Sequence, residues 1–431
     1  MKSYMNEKQK IWYRLCLLGA LSGAVALMAV CWYRQMERMV PDEILLFENQ
    51  KENLNFAIPF GEISMKVKDT EASQVSVNES KKVGDNIHFS ISEPVSVTAG
   101  GTGSFQAQVK LFGWLHCKYI QFDVMEEAKV MPVGKAVGLY VHADGVMVLG
   151  TGKVSGKDGM ERQPAYEVLQ TGDYIYAVNG EQVVSIQDIS TLIQKNGQKK
   201  LILGVNRGRN KIKVKITPVL AENGKYQIGA WLREDTEGIG TLTFVTEKNQ
   251  FAALGHGITD ADTGLLIKLQ NGGLYTASID HVVFGEPGAP GELVGSVSLG
   301  QKNRLGTISN NTSLGITGEI IREEYSYQED KAMAMGRKQE VQEGKASILC
   351  QLGDTIKEYE VEIEKINLSS DDNKGMEIHV TDRELLKDAG GIVQGMSGAP
   401  LIQNNKCIGA VTHVFVKDVT RGYATFIENM L

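Results

Sequence analysis

The C-terminal stretch GGIVQGMSGAPLIQNNKCIGAVTHV, Gly390 to Val414, surrounds a single serine, Ser397, with small residues. Acyl transfer needs a nucleophile, a base that takes its proton, and donors that stabilise the oxygen anion formed on the attacked carbonyl. Glycine lets the backbone curve around such an oxygen. We therefore predict Ser397 as a nucleophile, with the backbone N–H groups of Gly395 and Ser397 as oxyanion donors. A glycine-rich hairpin with an incidental serine is the structural alternative.

A histidine flanked by two glycines, His256 in FAALGHGITDADTG, lies 141 residues before the serine. Chymotrypsin-like enzymes carry the histidine before the serine along the chain, on the first of two β-barrels. Strand-like runs dominate this part of the chain, and we predict a pair of small barrels with His256 as the base. The strand CIGAVTHVFV should form a wall that pairs with a substrate backbone. His413 either lines the site or packs on this strand, and we favour packing.

The acid that would orient the histidine is not determined by spacing. The candidates considered among the aspartates between the two residues are Asp260, Asp262, Asp280, Asp330 and Asp382. Asp382, in HVTDRELL, precedes Ser397 by 15 residues and opens a predicted helix, where it could equally serve as the N-cap.

Two other kinds of site are disfavoured by residue type. An α/β-hydrolase elbow needs glycine where Ala399 stands, and parallel strands that alternate with helices. The DADTG turn resembles half of a calcium loop, but its sixth and twelfth positions are Leu265 and Asn271 where glycine and glutamate are needed. We expect no metal ion and no other cofactor.

Composition sets the broad class of the protein. The 431 residues are 42% hydrophobic, with 47 Gly, 9 Pro and a net charge of -7. Such a chain is globular and rich in turns, and it lacks the basic face of a nucleic-acid-binding protein. Five widely spaced cysteines form neither a disulfide framework nor a zinc motif.

The N-terminal region predicts a membrane anchor. LCLLGALSGAVALMAVCWY, Leu15 to Tyr33, is uncharged and long enough to span a bilayer as a helix. Lysines and an arginine precede it, which favours a cytoplasmic N-terminus and an extracytoplasmic body. No clean cleavage site follows, so we predict an uncleaved anchor over residues 1–34. A β-rich spacer is expected over 35–120.

Residues 121–219 resemble a PDZ domain. The resemblance rests on Pro164-Ala165, Leu169, the pair Gly172-Asp173, Asn179-Gly180 and the amphipathic helix from Ile186. PDZ domains bind extended peptides at a sheet edge, with backbone N–H groups on the terminal carboxylate. The resemblance places this carboxylate loop at Lys135, Ala136, Val137, Gly138 and Leu139, although the usual Gly-Leu-Gly-Phe signature is missing.

Three motifs together, LGHGITDADTG, VTDRELL and GGIVQGMSGAPLIQNNKCIGAVTHVFV, resemble the SpoIVB peptidase family of endospore-forming bacteria. The family is a chymotrypsin-like serine endopeptidase, and its catalytic motifs fall on His256, Asp382 and Ser397. Ala399 replaces the serine of the usual GMSGSP motif. The resemblance thus selects Asp382 as the third catalytic residue and places the peptidase domain at 220–431.

The resemblance also implies a biological role. Such proteins are exported from the forespore into the space between two membranes and cleave themselves. They then cut a membrane-bound regulator of an intramembrane metalloprotease that activates a late sigma factor. We expect protein substrates and a PDZ ligand that includes the chain's own N-terminal region. Two alternatives remain: a tethered PDZ adaptor with a non-catalytic peptidase fold, and a quality-control protease, which usually carries its PDZ domain after the peptidase.

Overall fold

The computed structural model describes residues 7–54, 56, 58–65, 75–77, 87–368, 370 and 372–431. The chain is mainly β, with 53% strand and 16% helix, which confirms the fold class predicted from the alternating runs. It divides into two compact units. The extreme N-terminus and parts of the predicted spacer, including the last three residues of VSVNES, lie outside the described residues.

The first unit runs to Ala128 and also includes Lys338–Glu340 and Asn367–Ser370. Its helix and strands are α1 (Glu7–Met39), β1 (Glu43–Phe47), β2 (Lys51–Leu54), β3 (Gly61–Met65), β4 (Val75–Val77), β5 (Ile87–Ser90), β6 (Val95–Ala99), β7 (Gly103–Leu111) and β8 (Leu115–Met125). Five strands pair in the order β1-β8-β7-β3-β5, and β2-β6-β4 form a second sheet. The predicted boundary at residue 120 is wrong, because it falls inside β8, whose pairing with β7 continues to Val124.

The helix α1 contains a stretch, Lys10–Met39, whose most apolar window has a mean hydropathy of 2.2 and is not buried by the rest of the chain. Its length and composition are consistent with a membrane anchor. The end of the helix packs on the first unit: Trp32 and Tyr33 contact its core, and the Tyr33 hydroxyl donates to the carbonyl of His116 at 3.0 Å.

The second unit contains the remaining strands and two helices. They are β9 (Lys129–Thr151), β10 (Val154–Ser155), β11 (Glu161–Arg162), β12 (Tyr174–Val178), β13 (Glu181–Gln182), α2 (Ile186–Asn196), β14 (Leu201–Arg207), β15 (Asn210–Ile216), β16 (Val219–Leu220), β17 (Tyr226–Gln227), β18 (Ala230–Thr246), β19 (Gln250–Ala253), β20 (Leu269–Val283), β21 (Glu292–Val297), β22 (Arg304–Thr312), β23 (Gly315–Ile320), β24 (Met333–Met335), β25 (Gly344–Gln351), β26 (Ile356–Ile366), β27 (Met376–Val380), α3 (Arg383–Ala389), β28 (Pro400–Gln403), β29 (Lys406–Phe415) and β30 (Asp418–Phe426). Short 3-10 helices occur in this unit at Gln301–Asn303, Glu323–Tyr325, Glu329–Lys331 and Ile427–Met430, and in the first unit at Lys338–Glu340.

Two antiparallel six-stranded cycles form the body of this unit. In the first, pairing runs β9-β18-β19-β23-β22-β20 and returns to β9. In the second, it runs β25-β26-β27-β30-β29-β28 and returns to β25. Inward-facing apolar residues fill the interior of each barrel. This is the double-barrel architecture predicted for the peptidase.

Strand β9 belongs to two structures at once. Its first part pairs with β18 and β20 in the first barrel, while Val146 and Met147 pair with β12 of the PDZ module. Gly145, at φ 101°, lies between these two parts, and a β-carbon there would lie 2.9 Å from the carbonyl oxygen of Ile175. The predicted order of a complete PDZ domain followed by a peptidase is therefore wrong: the PDZ module is nested after the first barrel strand.

The PDZ module is built from the second part of β9, from β12 to β15 and from the start of β18 around its own apolar core. Helix α2 begins at a capping box between Ser185 and Asp188, and buries Ile189, Leu192 and Ile193 on one face. This confirms the predicted helix. Buried Asp173 accepts two hydrogen bonds from Arg207, which fixes the Gly-Asp turn before β12.

Candidate active site

The serine turn lies between α3 and β28 and requires its glycines. Gly395 and Gly398 have φ values of 96° and 95°, in the region that favours glycine. A β-carbon on Gly398 would lie 2.2 Å from the carbonyl oxygen of Thr241 and 2.5 Å from the nitrogen of Leu254. Since Leu254 closely precedes His256, the close approach of Gly398 brings the histidine and serine segments into contact.

Two amides in the serine turn have no acceptor. Among the described residues, the N–H groups of Gly395 and Ser397 donate to no protein atom. Those of Met396, Gly398 and Ala399 donate to carbonyl oxygens at 3.2, 2.8 and 2.9 Å. Both residues are partly exposed in the cavity, so these two N–H groups, on either side of Met396, are free to donate to an anionic oxygen bound there. The sequence analysis predicts these same two N–H groups as the oxyanion donors.

Thr241, on β18, binds two carbonyl groups of the serine turn. Its hydroxyl donates to the carbonyl of Gly395 at 2.8 Å, and its N–H donates to the carbonyl of Ser397 at 2.9 Å. Its own carbonyl accepts from Leu254 at 3.3 Å. One buried threonine therefore connects the segments that carry Ser397 and His256. Sequence reasoning missed Thr241, because nothing in GIGTLTFVT distinguishes it from other strand residues.

His256 is held in one tautomer by the backbone. Its Nδ1 lies 3.0 Å from the carbonyl oxygen of Gly257, which can only accept, so Nδ1 carries the hydrogen. The other ring nitrogen then has a free lone pair, as a general base requires. Burial lowers the pKa of His256 below 6.5, although the bond to Gly257 partly opposes this shift. The imidazole is therefore neutral at pH 7.

The serine hydroxyl does not contact the histidine in this structure. Ser397 Oγ donates to the carbonyl of Thr412 at 2.7 Å. Both Ser397 and His256 line the same cavity, of about 770 Å³, and Gly255 lies against the Thr412 methyl group. The Ser397 side chain must therefore rotate away from the Thr412 carbonyl before its hydroxyl can donate a hydrogen bond to the imidazole of His256.

His413 lines this cavity, contrary to our expectation that it only packs on its strand. Its ring centroid lies 5.1 Å from that of His256, at an interplanar angle of 38°. Burial, followed by the charges of His256 and Lys374, lowers the pKa of His413 to about 4, while Asp372 acts in the opposite direction. The imidazole of His413 is therefore also neutral at pH 7.

The walls of the cavity are strand segments with one free edge. Among the described strands, Thr236–Ile239 of β18 pair only with β9, and His413 and Val414 of β29 pair only with β30. Both segments line the cavity, together with residues 392–395 that lead into the serine turn. A free strand edge beside a nucleophile can pair with an extended peptide, which is the shape of a protein substrate.

The structure does not bring Asp382 to the histidine. Its Oδ1 accepts from the N–H groups of Glu384 and Leu385 at 2.9 and 3.0 Å, and its Oδ2 from that of Glu360 at 3.3 Å. These contacts make Asp382 the N-cap of α3, and Asp382 does not line the cavity. The predicted contact of its carboxylate with His256 is therefore absent from the described part of the chain.

The predicted carboxylate loop is also placed elsewhere. Lys135–Leu139 lie within β9, and each residue faces a partner in β18. Gly138 and Leu139 also face Tyr275 and Leu274 of β20 on the other side. Because the whole segment pairs with β18, and residues 137–139 also pair with β20, it is part of the peptidase barrel and does not form an open carboxylate-binding loop.

No cluster that could bind a metal was found within the described residues, taken as groups of three or more His, Cys, Asp or Glu side chains. The DADTG turn instead contains an ion pair. The Asp260 carboxylate is bound by the guanidinium of Arg233 and by the N–H and hydroxyl of Thr263.

Comparison with known proteins agrees with this geometry. Residues 224–431 match the family model of the SpoIVB peptidase S55, and residues 157–207 match that of a PDZ domain. The chain thus carries a SpoIVB peptidase S55 domain at residues 224–431. It is a serine endopeptidase that carries a PDZ domain.

Solved structures give weaker similarities. The PDZ domain of the SdrC-like protein from Listeria monocytogenes is 26% identical and covers 21% of this chain and 90% of its own, with a TM-score of 0.17. The HtrA-type protease AlgW with a decapeptide is 11% identical, with a TM-score of 0.27. The alignment covers 69% of this chain and 62% of AlgW. Among proteins of curated function, none has significant sequence similarity to this chain.

Proposed function

We propose that Ser397 and His256 form the catalytic pair of this endopeptidase. The observation that supports the assignment most directly is the pair of free amides at Gly395 and Ser397, beside a hydroxyl that shares its cavity with a neutral imidazole. The Ser397 oxygen attacks the peptide carbonyl as His256 takes its proton. The two amides stabilise the oxyanion, and His256 then protonates the leaving amine. Water hydrolyses the acyl-enzyme by the reverse sequence.

In this mechanism the carbonyl of Gly257 has the orienting role that an aspartate has in the usual triad. It holds the hydrogen on Nδ1 and leaves the other nitrogen of His256 as the base. In this mechanism Asp382 does not contact the reacting groups. As N-cap it stabilises α3, whose C-cap, Gly390, leads into the serine turn.

We further propose the biological role that the family resemblance implies. The protein is anchored by α1 in the forespore membrane, with its body between the two membranes, and it cleaves itself. It then cuts a membrane-bound regulator and so releases an intramembrane metalloprotease that activates a late sigma factor. The domain order behind this role is an anchor, a β-rich spacer and a peptidase with its PDZ module. The module holds the protein's own N-terminal region or the substrate, which concentrates the cleaved segment at the site.

Self-cleavage tests the catalytic assignment. The full-length protein and its Ser397→Ala variant are incubated in detergent, and new N-termini are read by mass spectrometry over time. We expect new termini from the wild type and none from the variant. Equal processing of the two would reject Ser397 as the nucleophile.

The non-catalytic adaptor is the second candidate, and the bond from Ser397 Oγ to the Thr412 carbonyl favours it, because a serine held there is not activated. A fluorophosphonate probe distinguishes the two functions. Labelling that depends on both Ser397 and His256 supports the peptidase, and absence of labelling in the folded protein supports the adaptor.

A further inference from the structure

Strand β18 carries residues of both the PDZ module and the active site. Its first residues, from Ala230, pair with the PDZ part of β9. Its central residues, Thr236–Ile239, line the active-site cavity, and Thr241 binds the serine turn. Arg233 lies in the first part, opposite Met147, which also pairs with Tyr174 of the PDZ strand β12.

The guanidinium of Arg233 reaches the histidine segment. It binds the carboxylate of Asp260, whose side chain is fully buried, and it contacts that of exposed Asp262 at 2.5 Å. Burial by itself raises the pKa of Asp260, but the hydrogen bonds from Thr263 and Arg233 outweigh this effect and hold it below 3.8. Asp260 is therefore a buried carboxylate that stays charged, and Arg233 is its cationic partner.

Asp260 lies at the tip of a hairpin that begins next to His256. The two arms are joined by hydrogen bonds from Ile267 to Ile258 at 3.0 Å and from Asp260 to Leu265 at 2.9 Å. The base of the hairpin is tight: a β-carbon on Gly257 would lie 2.3 Å from the Leu266 side chain. Since the Gly257 carbonyl binds His256 Nδ1, movement of the hairpin moves the acceptor that fixes the histidine tautomer.

The PDZ module contacts the same hairpin at a second point. A β-carbon on Gly172, in the Gly-Asp turn, would lie 2.6 Å from Cδ1 of Leu265. The PDZ module thus contacts the hairpin through Arg233 on Asp260 and through Gly172 on Leu265.

We propose that Arg233 is a positioning residue for catalysis: through Asp260 it fixes the hairpin that holds His256, and it makes this position depend on the PDZ module. The proposal rests on the peptidase function proposed above. Loss of the guanidinium leaves Asp260 buried without its counter-ion, and the hairpin tip must move toward water to solvate the carboxylate. His256 then loses its fixed tautomer and part of its burial.

Saturation kinetics of fluorophosphonate labelling, measured on the full-length protein in detergent at several pH values, test this proposal. We expect Arg233→Met and Asp260→Asn to lower the maximal labelling rate by on the order of 10²-fold, because misplacement of a catalytic base by about 1 Å has effects of this size. The concentration for half-maximal rate should not change. The acid limb of the pH profile should move to higher pH, because a less buried His256 has a higher pKa.

Asp262→Asn is the matched control, since it removes the exposed partner of the same guanidinium. We expect it to change the rate by at most about twofold, as exposed ion pairs contribute little. The double variant Arg233→Met/Asp260→Asn should be no slower than either single variant, because the two residues act through one another. Should Arg233→Met fail to fold, Arg233→Lys, which keeps the charge, should fold and show a smaller shift of the acid limb.

Two results would overturn the proposal: an acid limb that stays in place in the Arg233 and Asp260 variants, or an equal loss of rate in Asp262→Asn. Failure of the underlying function gives a different result. In that case the wild type would not be labelled, or labelling would persist in Ser397→Ala and His256→Ala.

Discussion

The imidazole rings of His256 and His413 lie side by side, with centroids 5.1 Å apart, in the cavity that also contains Ser397. Two imidazoles at this distance cannot both be protonated without repulsion, and Lys374 adds a further positive charge near His413, partly offset by Asp372. The site therefore favours neutral imidazoles, as a serine peptidase needs for its base.

The pH dependence of activity follows from this arrangement. His256 acts as a base only when neutral, so activity should fall as the pH drops through its pKa. Since burial lowers that pKa, we expect the acid limb of the labelling rate to have its midpoint below 6.5. The measurement is a pH profile of fluorophosphonate labelling of the full-length protein. A midpoint at or above 6.5 would contradict the assignment of a buried, neutral His256.

Two buried threonines on β18 provide a matched test of the oxyanion geometry. Thr241 donates to the Gly395 carbonyl, whereas Thr243 Oγ1 has no hydrogen-bond partner in the described part of the chain. We expect Thr241→Val to lower kcat by about 10-fold with little change in KM, since it loosens a turn whose free donors are each worth about 10²–10³ in rate.

Thr243→Val should leave kcat unchanged and raise the free energy of unfolding by about 1 kcal/mol, because it removes an unpaired buried hydroxyl. Steady-state kinetics and urea unfolding of the two variants provide the comparison. If both substitutions lower kcat equally, the hydrogen bond to Gly395 has no specific role.

Substitutions of Asp382 distinguish a helix cap from a triad acid. Asparagine caps helices as well as aspartate does, so Asp382→Asn should keep most of the activity, whereas Asp382→Ala should lose about 1 kcal/mol of stability. A triad acid would behave differently, because asparagine favours the wrong tautomer and lowers kcat by about 10⁴. Labelling rates and thermal unfolding of the two variants decide the matter. Loss of labelling in Asp382→Asn would restore Asp382 to the catalytic set.

Chain fragments test whether β9 belongs to the peptidase. A fragment of residues 129–431 keeps the strand that pairs with β18 and β20, and we expect it to fold and to react with the probe. A fragment of 220–431 lacks a barrel strand and should aggregate, because unpaired edges and core are exposed. A fragment of 152–431 is the control: it keeps most of the PDZ module but not β9, and it should fail equally.

Local features of this chain could be predicted from its sequence. The glycines around Ser397, the amphipathic helix from Ile186 and the alternating apolar strands depend on neighbouring residues, and the structure contains each of them. The double barrel followed from the order of His256 and Ser397 together with the scarcity of helical periodicity. These predictions needed no knowledge of which distant strands pair.

The wrong predictions all concern distant pairing. VGKAVGLYV, Val133 to Val141, is apolar enough for either module, and only its register with β18 and β20 assigns it to the barrel. Asp382 has the position expected of a cap and of an acid, and spacing alone cannot say where its carboxylate points. The acceptor that orients His256 is the backbone carbonyl of Gly257. Since every residue has such a carbonyl, the sequence does not show which one accepts the hydrogen bond.

The nesting of the PDZ module has a geometric consequence for substrates. A domain joined by one linker can reorient, but this module leaves the barrel through β9 and returns through β18, two strands that pair with one another from Thr151 and Ala230 onward. It has no swivel. A protein bound to the module would therefore enter the active-site cavity at a constant distance and angle. The number of residues between its bound segment and a peptide bond would then determine whether that bond is cleaved.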